Sequence, residues 1–331
     1  MSMKLGVRLP QDVDPIEAGR LAKKCEDFGF DSIWLAEMSH DPFLLIPVLG
    51  EHTNEIRLGT SVALALVRNP MSLAYTCWDL QRFTEGRFIL GVGTQVKGHI
   101  ERRFGIPWDR PLERLEETIR ALKEIWDCWQ YGKKLNFQGK FYSFDLMPPF
   151  FNPGSIEHPH IPIHIAGVNP RICRLAGRIA DGLHVHPLHT PEYFREVILK
   201  SVKDGLEESG KDIREFEILV TALTVFENEN TERKIEEMRE MIAFYSSTRT
   251  YRRVLELHGW GEAVKKLHKM SLKGDWSKMK NVITDEMLEK LCIICKPEDF
   301  MKEAIKRYGK EVDIVSPYIL FKGEKFWERM G

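Results

Sequence analysis

The chain has almost no net charge. Its 331 residues contain 48 lysines and arginines against 49 aspartates and glutamates, which gives a formal charge of -1. A protein that holds a polyanion by counterion release needs a large positive field, and such a balance of charges does not supply one. We therefore expect no nucleic-acid partner.

Long apolar runs are also lacking. The longest stretches, such as residues 43–49, fall well short of the roughly 18 residues that a membrane-spanning helix requires. The amino terminus, MSMKLGVRLP, leads directly into a strand pattern and has no apolar core or cleavage region of a signal peptide. We expect a cytoplasmic protein without membrane association.

The six cysteines do not have the spacing of a disulfide framework. Cys292 and Cys295 form a C-x-x-C, but two isoleucines lie between them and no second pair follows at the spacing of a zinc site. We favour packing of these thiols over a metal or redox role, and we predict no bound metal. The other four lie in predicted helices, where buried thiols are common: Cys25, Cys77, Cys128 and Cys173.

Short apolar runs alternate with amphipathic stretches along the whole chain, which predicts repeated βα units. Eight strands fit a closed (β/α)8 barrel better than an open, doubly wound sheet. The predicted strands cover residues 4–9, 32–36, 56–63, 88–92, 161–166, 182–186, 217–226 and 312–315. The predicted helices between them cover residues 15–28, 42–52, 71–83, 111–129, 171–180, 191–208 and 297–308.

Two segments are longer than a βα unit needs. Residues 133–160 lose helical periodicity and gain aromatic, proline and glycine residues, which predicts a hairpin and a loop. Residues 231–291 are helical in pattern, with breaks at glycines. We predict a single barrel domain over residues 1–331 with insertions at these two places.

Reactive groups of such a barrel come from the loops after its strands. Glu37 and His40 follow the second predicted strand, and a carboxylate and an imidazole together can move protons. The alternative is that they are solvated surface residues, with Asp41 capping the next helix. His184 and His186 lie two residues apart on the sixth strand and therefore share a face.

A metal-dependent barrel hydrolase is a distant alternative for these histidines. His158, His160 and His164 add further possible ligands, but no acidic ligand is placed alongside. We favour a proton carrier or a cofactor contact over a metal ligand.

The five residues from Gly167 to Arg171 pass from a strand into a helix. Pro170 is placed to start the helix, and the N–H groups of such a helix start favour an anion such as phosphate. A plain βα turn is the alternative. Gly91-x-Gly93 lacks the third glycine of a dinucleotide fingerprint.

Two glycine-containing segments resemble the luciferase-like superfamily of flavin- and deazaflavin-dependent barrel enzymes. They are LGTSV at residues 58–62 and GRFILGVGT at residues 86–94. Further similar segments follow in order, at residues 74–80, 104–105, 175–177 and 180–182, so the resemblance covers nearly the whole chain. Residues 37–43 and 95–97 are most similar to the branch of coenzyme F420-dependent oxidoreductases.

The resemblance implies a location for the cofactor. Its ring would lie over the third strand, backed by a bulge with a non-prolyl cis peptide between Ser61 and Val62. Thr94 and Gln95 would contact the polar edge of the ring. The phosphate would be held by the backbone of the helix start, at Gly167, Val168, Asn169 and Arg171.

The chain departs from the sugar-phosphate dehydrogenases of this superfamily at two places. Met38 stands where those enzymes have a histidine, with His40 two residues further on, and Gln95 to Lys97 replace their acidic proton donor. These differences argue against sugar-phosphate oxidation. His99, His184 and His186 are further candidate acids or bases.

We therefore expect an oxidoreductase, a homodimer, that transfers a hydride between coenzyme F420 and a small organic substrate, with His40 and Glu37 moving the proton. The alternative is an FMN-dependent luciferase-like monooxygenase, which shares the fold but reacts its reduced ring with oxygen.

Overall fold

Eight parallel strands close into a barrel. The computed structural model describes residues 2–330. The barrel strands are β1 (Lys4–Arg8), β2 (Ser32–Leu35), β3 (Arg57–Thr60), β5 (Phe88–Gly93), β8 (Ile163–Gly167), β9 (Gly182–Val185), β10 (Glu217–Phe226) and β12 (Ile314–Pro317). They pair in this order, and β12 pairs with β1 to close the ring. The predicted (β/α)8 barrel is confirmed.

Four short strands lie outside the ring. β4 (Ala63–Leu64) pairs with β5, the hairpin strands β6 (Phe137–Gln138) and β7 (Ser143–Phe144) pair with each other, and β11 (Cys292–Cys295) pairs with the last four residues of β10. The third predicted strand, 56–63, is thus divided into β3 and β4. The C-x-x-C segment, for which we predicted only packing, is a strand with both thiols buried.

Helices cover the outside of the barrel. They are α1 (Pro15–Asp27), α2 (Ile46–Glu51), α3 (Pro70–Phe83), α4 (Lys97–Arg102), α5 (Pro111–Tyr131), α6 (Pro170–Ile179), α7 (Pro191–Tyr193), α8 (Lys200–Ser209), α9 (Thr231–Ser246), α10 (Arg252–Glu256), α11 (Gly261–Lys273), α12 (Trp276–Met279), α13 (Asp285–Leu291) and α14 (Phe300–Tyr308). A π-helical turn, Phe194–Leu199, joins α7 to α8. None of the helices within residues 2–330 is long and apolar enough to cross a membrane.

Proline marks the start of five of these helices: α1, α3, α5, α6 and α7. A proline at the first helical position costs no hydrogen bond, because that N–H has no partner within the helix. Asp14 and Asn69 complete two of these starts by accepting hydrogen bonds from the N–H groups of Ile16 and Met71, at 2.8 and 2.9 Å. The second helix starts later than predicted, at Ile46, because Asp41 instead caps a turn by accepting from the N–H of Phe43.

The inside of the barrel is filled by a small number of large side chains. Trp34, Ile89, Leu219 and Ile314 form an apolar cluster there. Glycines on neighbouring strands make room: a Cβ on Gly59 would lie 2.4 Å from the Trp34 ring. Two histidines, His164 and His184, complete the layer and are fully buried.

Candidate active site

Most of the residues predicted from the sequence lie at one end of the barrel, whereas His184 points into its interior. Because all eight barrel strands are parallel, the segments that follow them share this end. The structure places there the bulge between β3 and β4, the loops after β2, β5 and β9, and the start of α6.

The bulge between β3 and β4 is anchored on both sides. The Ser61–Val62 peptide bond is cis, as the resemblance predicts. The N–H of Ser61 donates to the carbonyl of Leu35 at 2.7 Å, and the carbonyl of Val62 accepts from the N–H of Glu37 at 3.2 Å. The bulge is therefore held against the end of β2.

Small side chains surround the bulge on the inside of the barrel. A Cβ added to Gly93 would lie 2.9 Å from Val62 and 3.7 Å from the Cβ of Ala166. Ser61, Val62 and Ala166 are each only half-buried. The ends of β3, β5 and β8 thus present a partly open surface made of Ser61, Val62, Gly93 and Ala166, which we call the small-residue floor.

Glu37 is engaged in an ion pair beside this floor. Its Oε2 accepts from Arg68 Nη1 at 2.5 Å and from the N–H of Leu64 at 2.7 Å. Arg68 also contacts Asp41 at 3.0 Å. His40 is exposed, and no hydrogen bond among residues 2–330 joins it to Glu37. The two residues share a loop, but Glu37 faces the bulge and Arg68.

Thr94 and Gln95 lie at the rim of the floor, directly after β5. Gln95 is in the left-handed backbone region, with φ of 60°, and its side-chain oxygen accepts from the N–H of Val96 at 3.0 Å. Thr94 Oγ1 donates to the carbonyl of Gln95 at 3.2 Å. His99 follows on α4 and is exposed.

The start of α6 lies at the end of β8. A Cβ on Gly167 would lie 2.7 Å from the Ile172 side chain, so only glycine lets the strand turn this closely into the helix. Val168 is buried, Asn169 donates from Nδ2 to the carbonyl of Thr250 at 3.0 Å, and Arg171 is exposed. The N–H groups in the first turn of a helix have no partner within the helix and favour an anion.

His184 and His186 have separate surroundings, although they share a face of the chain. His184 points into the barrel, where Nδ1 lies 3.1 Å from Ser61 Oγ and Nε2 lies 3.1 Å from His164 Nδ1. His186 stacks on Tyr251, with ring centroids 4.2 Å apart. Burial lowers the pKa of His184 well below its usual value and that of His186 to about 3, so both rings are neutral at pH 7.

Three tyrosines over the barrel mouth were not predicted as site residues. Tyr245 and Tyr318 share a hydrogen bond of 2.7 Å between their hydroxyls, and the Arg8 guanidinium lies 5.2 Å from the Tyr318 ring centroid. Burial raises the pKa of Tyr245 above its usual range and that of Tyr251 to about 12. Tyr318 follows a predicted strand, but Tyr245 and Tyr251 lie in the 231–291 segment, where no sequence signal separates them from core aromatics.

The site has polar atoms available to a ligand. Gln11 Nε2, after β1, and Ser316 Oγ, on β12, are buried and have no hydrogen-bond partner among the described residues. Buried polar groups are normally satisfied, so such atoms at the mouth of a barrel indicate a binding site. Within residues 2–330, no group of three or more His, Cys, Asp or Glu side chains is arranged to hold a metal ion.

The fold is a (β/α)8 barrel with a candidate site at the carboxyl ends of its strands. The family model described as luciferase-like monooxygenase matches residues 2–311, so the chain belongs to this family. It is an oxidoreductase, as the related enzymes are.

Three similar proteins each cover most of this chain. An uncharacterized protein of Mycobacterium tuberculosis is 39% identical over 321 residues, which cover 96% of this chain and 94% of that protein. The 5,10-methylenetetrahydromethanopterin reductase of Archaeoglobus fulgidus is 28% identical over 309 residues, 91% of this chain and 88% of that enzyme. The structure of the coenzyme F420-dependent tetrahydromethanopterin reductase from Methanopyrus kandleri superposes with a TM-score of 0.81 at 22% identity, covering 100% of this chain and 97% of that one.

Proposed function

We propose that the enzyme transfers a hydride between coenzyme F420 and a small organic substrate. The observation that carries the proposal is the small-residue floor, bordered by the polar rim after β5 on one side and by the start of α6 on the other. The similarity to reductases whose names include F420 or tetrahydromethanopterin supports the choice of cofactor.

The residues present fit such a cofactor. The small-residue floor leaves space for a fused ring, which a larger side chain at Ala166 or Gly93 would fill. Thr94 and Gln95 would contact the polar edge of the ring. The phosphate would be held by the turn at the start of α6, through the backbone of Gly167, Val168 and Asn169 and the exposed Arg171.

A bound deazaflavin would supply a ring that accepts or donates a hydride. The chain would orient the ring and the substrate, keep water away and move a proton. For the substrate proton we propose His40, on the same loop as Glu37, while Glu37 keeps Arg68 and the bulge in place. His99 and His186 are alternative carriers at the same end of the barrel.

The proposal is tested by titrating the purified protein with F420 and, separately, with FMN, following the quenching of its tryptophans. We expect saturation at low concentration with F420 only. Saturation with FMN only, together with oxygen consumption by the reduced complex, would support the luciferase-like monooxygenase that the family description suggests.

Two variants locate the cofactor. Ala166→Leu would fill the floor and prevent binding, whereas Ala166→Ser leaves the floor open and should bind normally. Arg171→Ala should weaken binding about tenfold, equivalent to about 1.4 kcal/mol. Arg174→Ala is the matched control, because Arg174 lies one turn further along α6 and is paired with Glu208. Equal effects of the two arginine variants would contradict the phosphate assignment.

The homodimer stays a prediction, which sedimentation equilibrium of the purified chain would test.

A further inference from the structure

A row of polar side chains crosses the inside of the barrel. It starts at Ser61 in the floor, whose Oγ lies 3.1 Å from His184 Nδ1. His184 Nε2 lies 3.1 Å from His164 Nδ1, and His164 Nε2 lies 3.8 Å from Glu217 Oε2. Glu217 is the first residue of β10, so it lies at the opposite, amino-terminal end of the barrel.

We propose that Glu217, His164, His184 and Ser61 form a proton relay that connects solvent at the amino-terminal end of the barrel with the cofactor site at the carboxyl end. The role of the relay rests on the proposed function: His40 serves the substrate proton, and the relay would serve the separate proton that a deazaflavin ring takes up or releases when it gains or loses a hydride. The row of side chains itself does not depend on which cofactor binds.

The barrel interior is built around the two imidazoles. Interior positions of such barrels are normally occupied by branched apolar residues, as Ile89, Leu219 and Ile314 are here. A Cβ on Gly182 would lie 2.7 Å from the His164 ring, and one on Gly91 would lie 3.0 Å from His184 Cε1. Glycine on the neighbouring strands therefore leaves the space that the two rings occupy.

The geometry couples the protonation of the two rings. Burial lowers the pKa of His164 to about 3 and that of His184 well below its usual value, so each neutral ring carries one proton. Only one of the two nitrogens that face each other, His184 Nε2 and His164 Nδ1, can hold a proton in their shared hydrogen bond. Both rings must therefore be Nδ1–H tautomers or both Nε2–H tautomers.

Glu217 is suited to pass protons between solvent and the rings. Its side chain is 23% exposed, and its carboxylate is paired with Arg57 at 2.9 Å. Burial raises its pKa, which Arg57 opposes. The 3.8 Å gap to His164 exceeds the usual hydrogen-bond limit by about half an ångström, which a small rotation of the carboxylate or one water molecule closes.

One proton moves through the row, and no group in the row is oxidised or reduced. Protonated Glu217 gives its proton to His164 Nε2, and His164 Nδ1 gives its proton to His184 Nε2. His184 Nδ1 then gives its proton to Ser61 Oγ, whose own proton passes to the acceptor in the site. The transfer leaves both rings as Nε2–H tautomers, with Glu217 as a carboxylate that accepts from His164 Nε2. Removal of a proton from the site follows the same steps in reverse, returns both rings to the Nδ1–H form and protonates Glu217, which can then exchange its proton with solvent.

Other charged groups face this row and influence its titration. Arg57, Asp31 and Asp313 act on Glu217, Arg57 and Asp181 act on His164, and Arg8 acts on His184. Apart from Arg8, these charges lie at the amino-terminal end of the barrel, before or at the start of β2, β3, β9 and β12. Variants at these positions are therefore unsuitable as controls.

The first test uses the protein without cofactor, with 15N-labelled histidine and NMR over the whole pH range in which the protein stays folded. As pH rises, Glu217 changes from a donor to an acceptor toward His164 Nε2. We expect both histidines to change together from Nδ1–H to Nε2–H tautomers with one midpoint, and Glu217→Gln to abolish the change. Tautomers that are independent of pH, or that change separately, would overturn the relay.

The second test measures single-turnover hydride transfer with F420 in H2O and D2O. His164→Leu should slow the proton-dependent step at least tenfold while the affinity for F420 changes less than threefold. Leu219→Val, in the same interior layer, is the control and should stay within threefold of the wild type. Ser61→Ala interrupts the row at its other end and leaves the Glu217–Arg57 pair intact. If Glu217→Gln does not fold, Ser61→Ala replaces it as the second relay variant, and it should slow the same proton-dependent step.

The two proposals fail in different ways. If the tautomers change together but F420 does not bind, the relay stands and the proposed function fails. If F420 binds and turns over while His164→Leu has the wild-type rate and solvent isotope effect, the relay fails and the proposed function stands.

Discussion

Replacement of Glu37 should release the bulge that forms the small-residue floor. Glu37 Oε2 accepts one hydrogen bond from Arg68 Nη1 and one from the N–H of Leu64. The Glu37 and Arg68 side chains are 9% and 16% exposed, so neither group is easily compensated by water. Glu37→Ala leaves the N–H of Leu64 without its acceptor, and the nearly buried Arg68 keeps only Asp41 and the Leu64 carbonyl as partners.

The expected cost follows from these two contacts. Breaking a buried ion pair from one side costs about 3–5 kcal/mol, and the partial exposure of Arg68 places this pair at the lower end. An unsatisfied N–H adds roughly 1–3 kcal/mol. We expect Glu37→Ala to lower the free energy of unfolding by about 4 kcal/mol. Glu37→Gln keeps an oxygen for Leu64 and should cost about half as much.

Urea unfolding at pH 7 measures the loss of stability in Glu37→Ala and in Glu37→Gln. Cofactor titration of the same two variants shows whether the bulge still supports binding. A double-mutant cycle with Arg68→Met isolates the ion pair, for which we expect a coupling of about 2 kcal/mol. The reasoning is refuted if Glu37→Ala costs less than about 1 kcal/mol, or if the alanine and glutamine variants are equally stable with no coupling to Arg68.

Three further predictions concern the barrel, the loop after β2 and pH. A Cβ on Gly91 would lie 1.9 Å from the Thr60 carbonyl oxygen, so Gly91→Ala should lower the yield of folded protein severely. A Cβ on Gly98 would have no atom within 4 Å, so Gly98→Ala should be neutral or stabilise the protein by up to about 1 kcal/mol, as thermal unfolding followed by circular dichroism would show. His40→Ala should slow turnover by about 10²–10⁴ while F420 affinity is retained, and an unchanged rate in steady-state assays would remove His40 as the proton carrier. Burial lowers the pKa of four histidines (His164, His184, His186 and His189), so the unfolded chain binds protons below about pH 6.5 that the folded chain does not. The free energy of unfolding should therefore fall as pH decreases from 6.5 towards 4, by up to about 1.4 kcal/mol per pH unit for each histidine. His186→Phe removes one of these histidines, so it should lower the slope of the unfolding free energy against pH by up to about 1.4 kcal/mol per pH unit.

Much of the barrel was predictable because its determinants are local. Each strand is a short apolar run, and a proline marks the start of five helices, so the βα order is visible along the chain. The boundaries that the sequence missed depend on contacts between elements. Residues 292–295 become a strand only because the end of β10 extends beyond the ring and offers a free edge for pairing.

The candidate site was predictable only where its residues follow strands. Ser61, Val62, Thr94, Gln95 and the 167–171 turn all lie at strand ends, and closure of a parallel barrel brings such ends together. The engagement of Glu37 with Arg68 was not visible, because 31 residues separate them and either side chain has many possible partners. Tyr245 was also missed, since its place over the barrel mouth depends on how α9 packs.

The sequence by itself determined the strand order, the absence of a large charge field and the family to which the chain belongs, because these depend on residue type and spacing alone. Only the tertiary structure decided which histidines meet. Nothing in the sequence separates His164 and His184 from His158 and His160 as possible interior residues. Of these four, His164 and His184 turn inward from adjacent strands and lie within hydrogen-bonding distance of each other. Which side chains face the interior of a closed barrel depends on the register between strands, and register is a property of the whole ring.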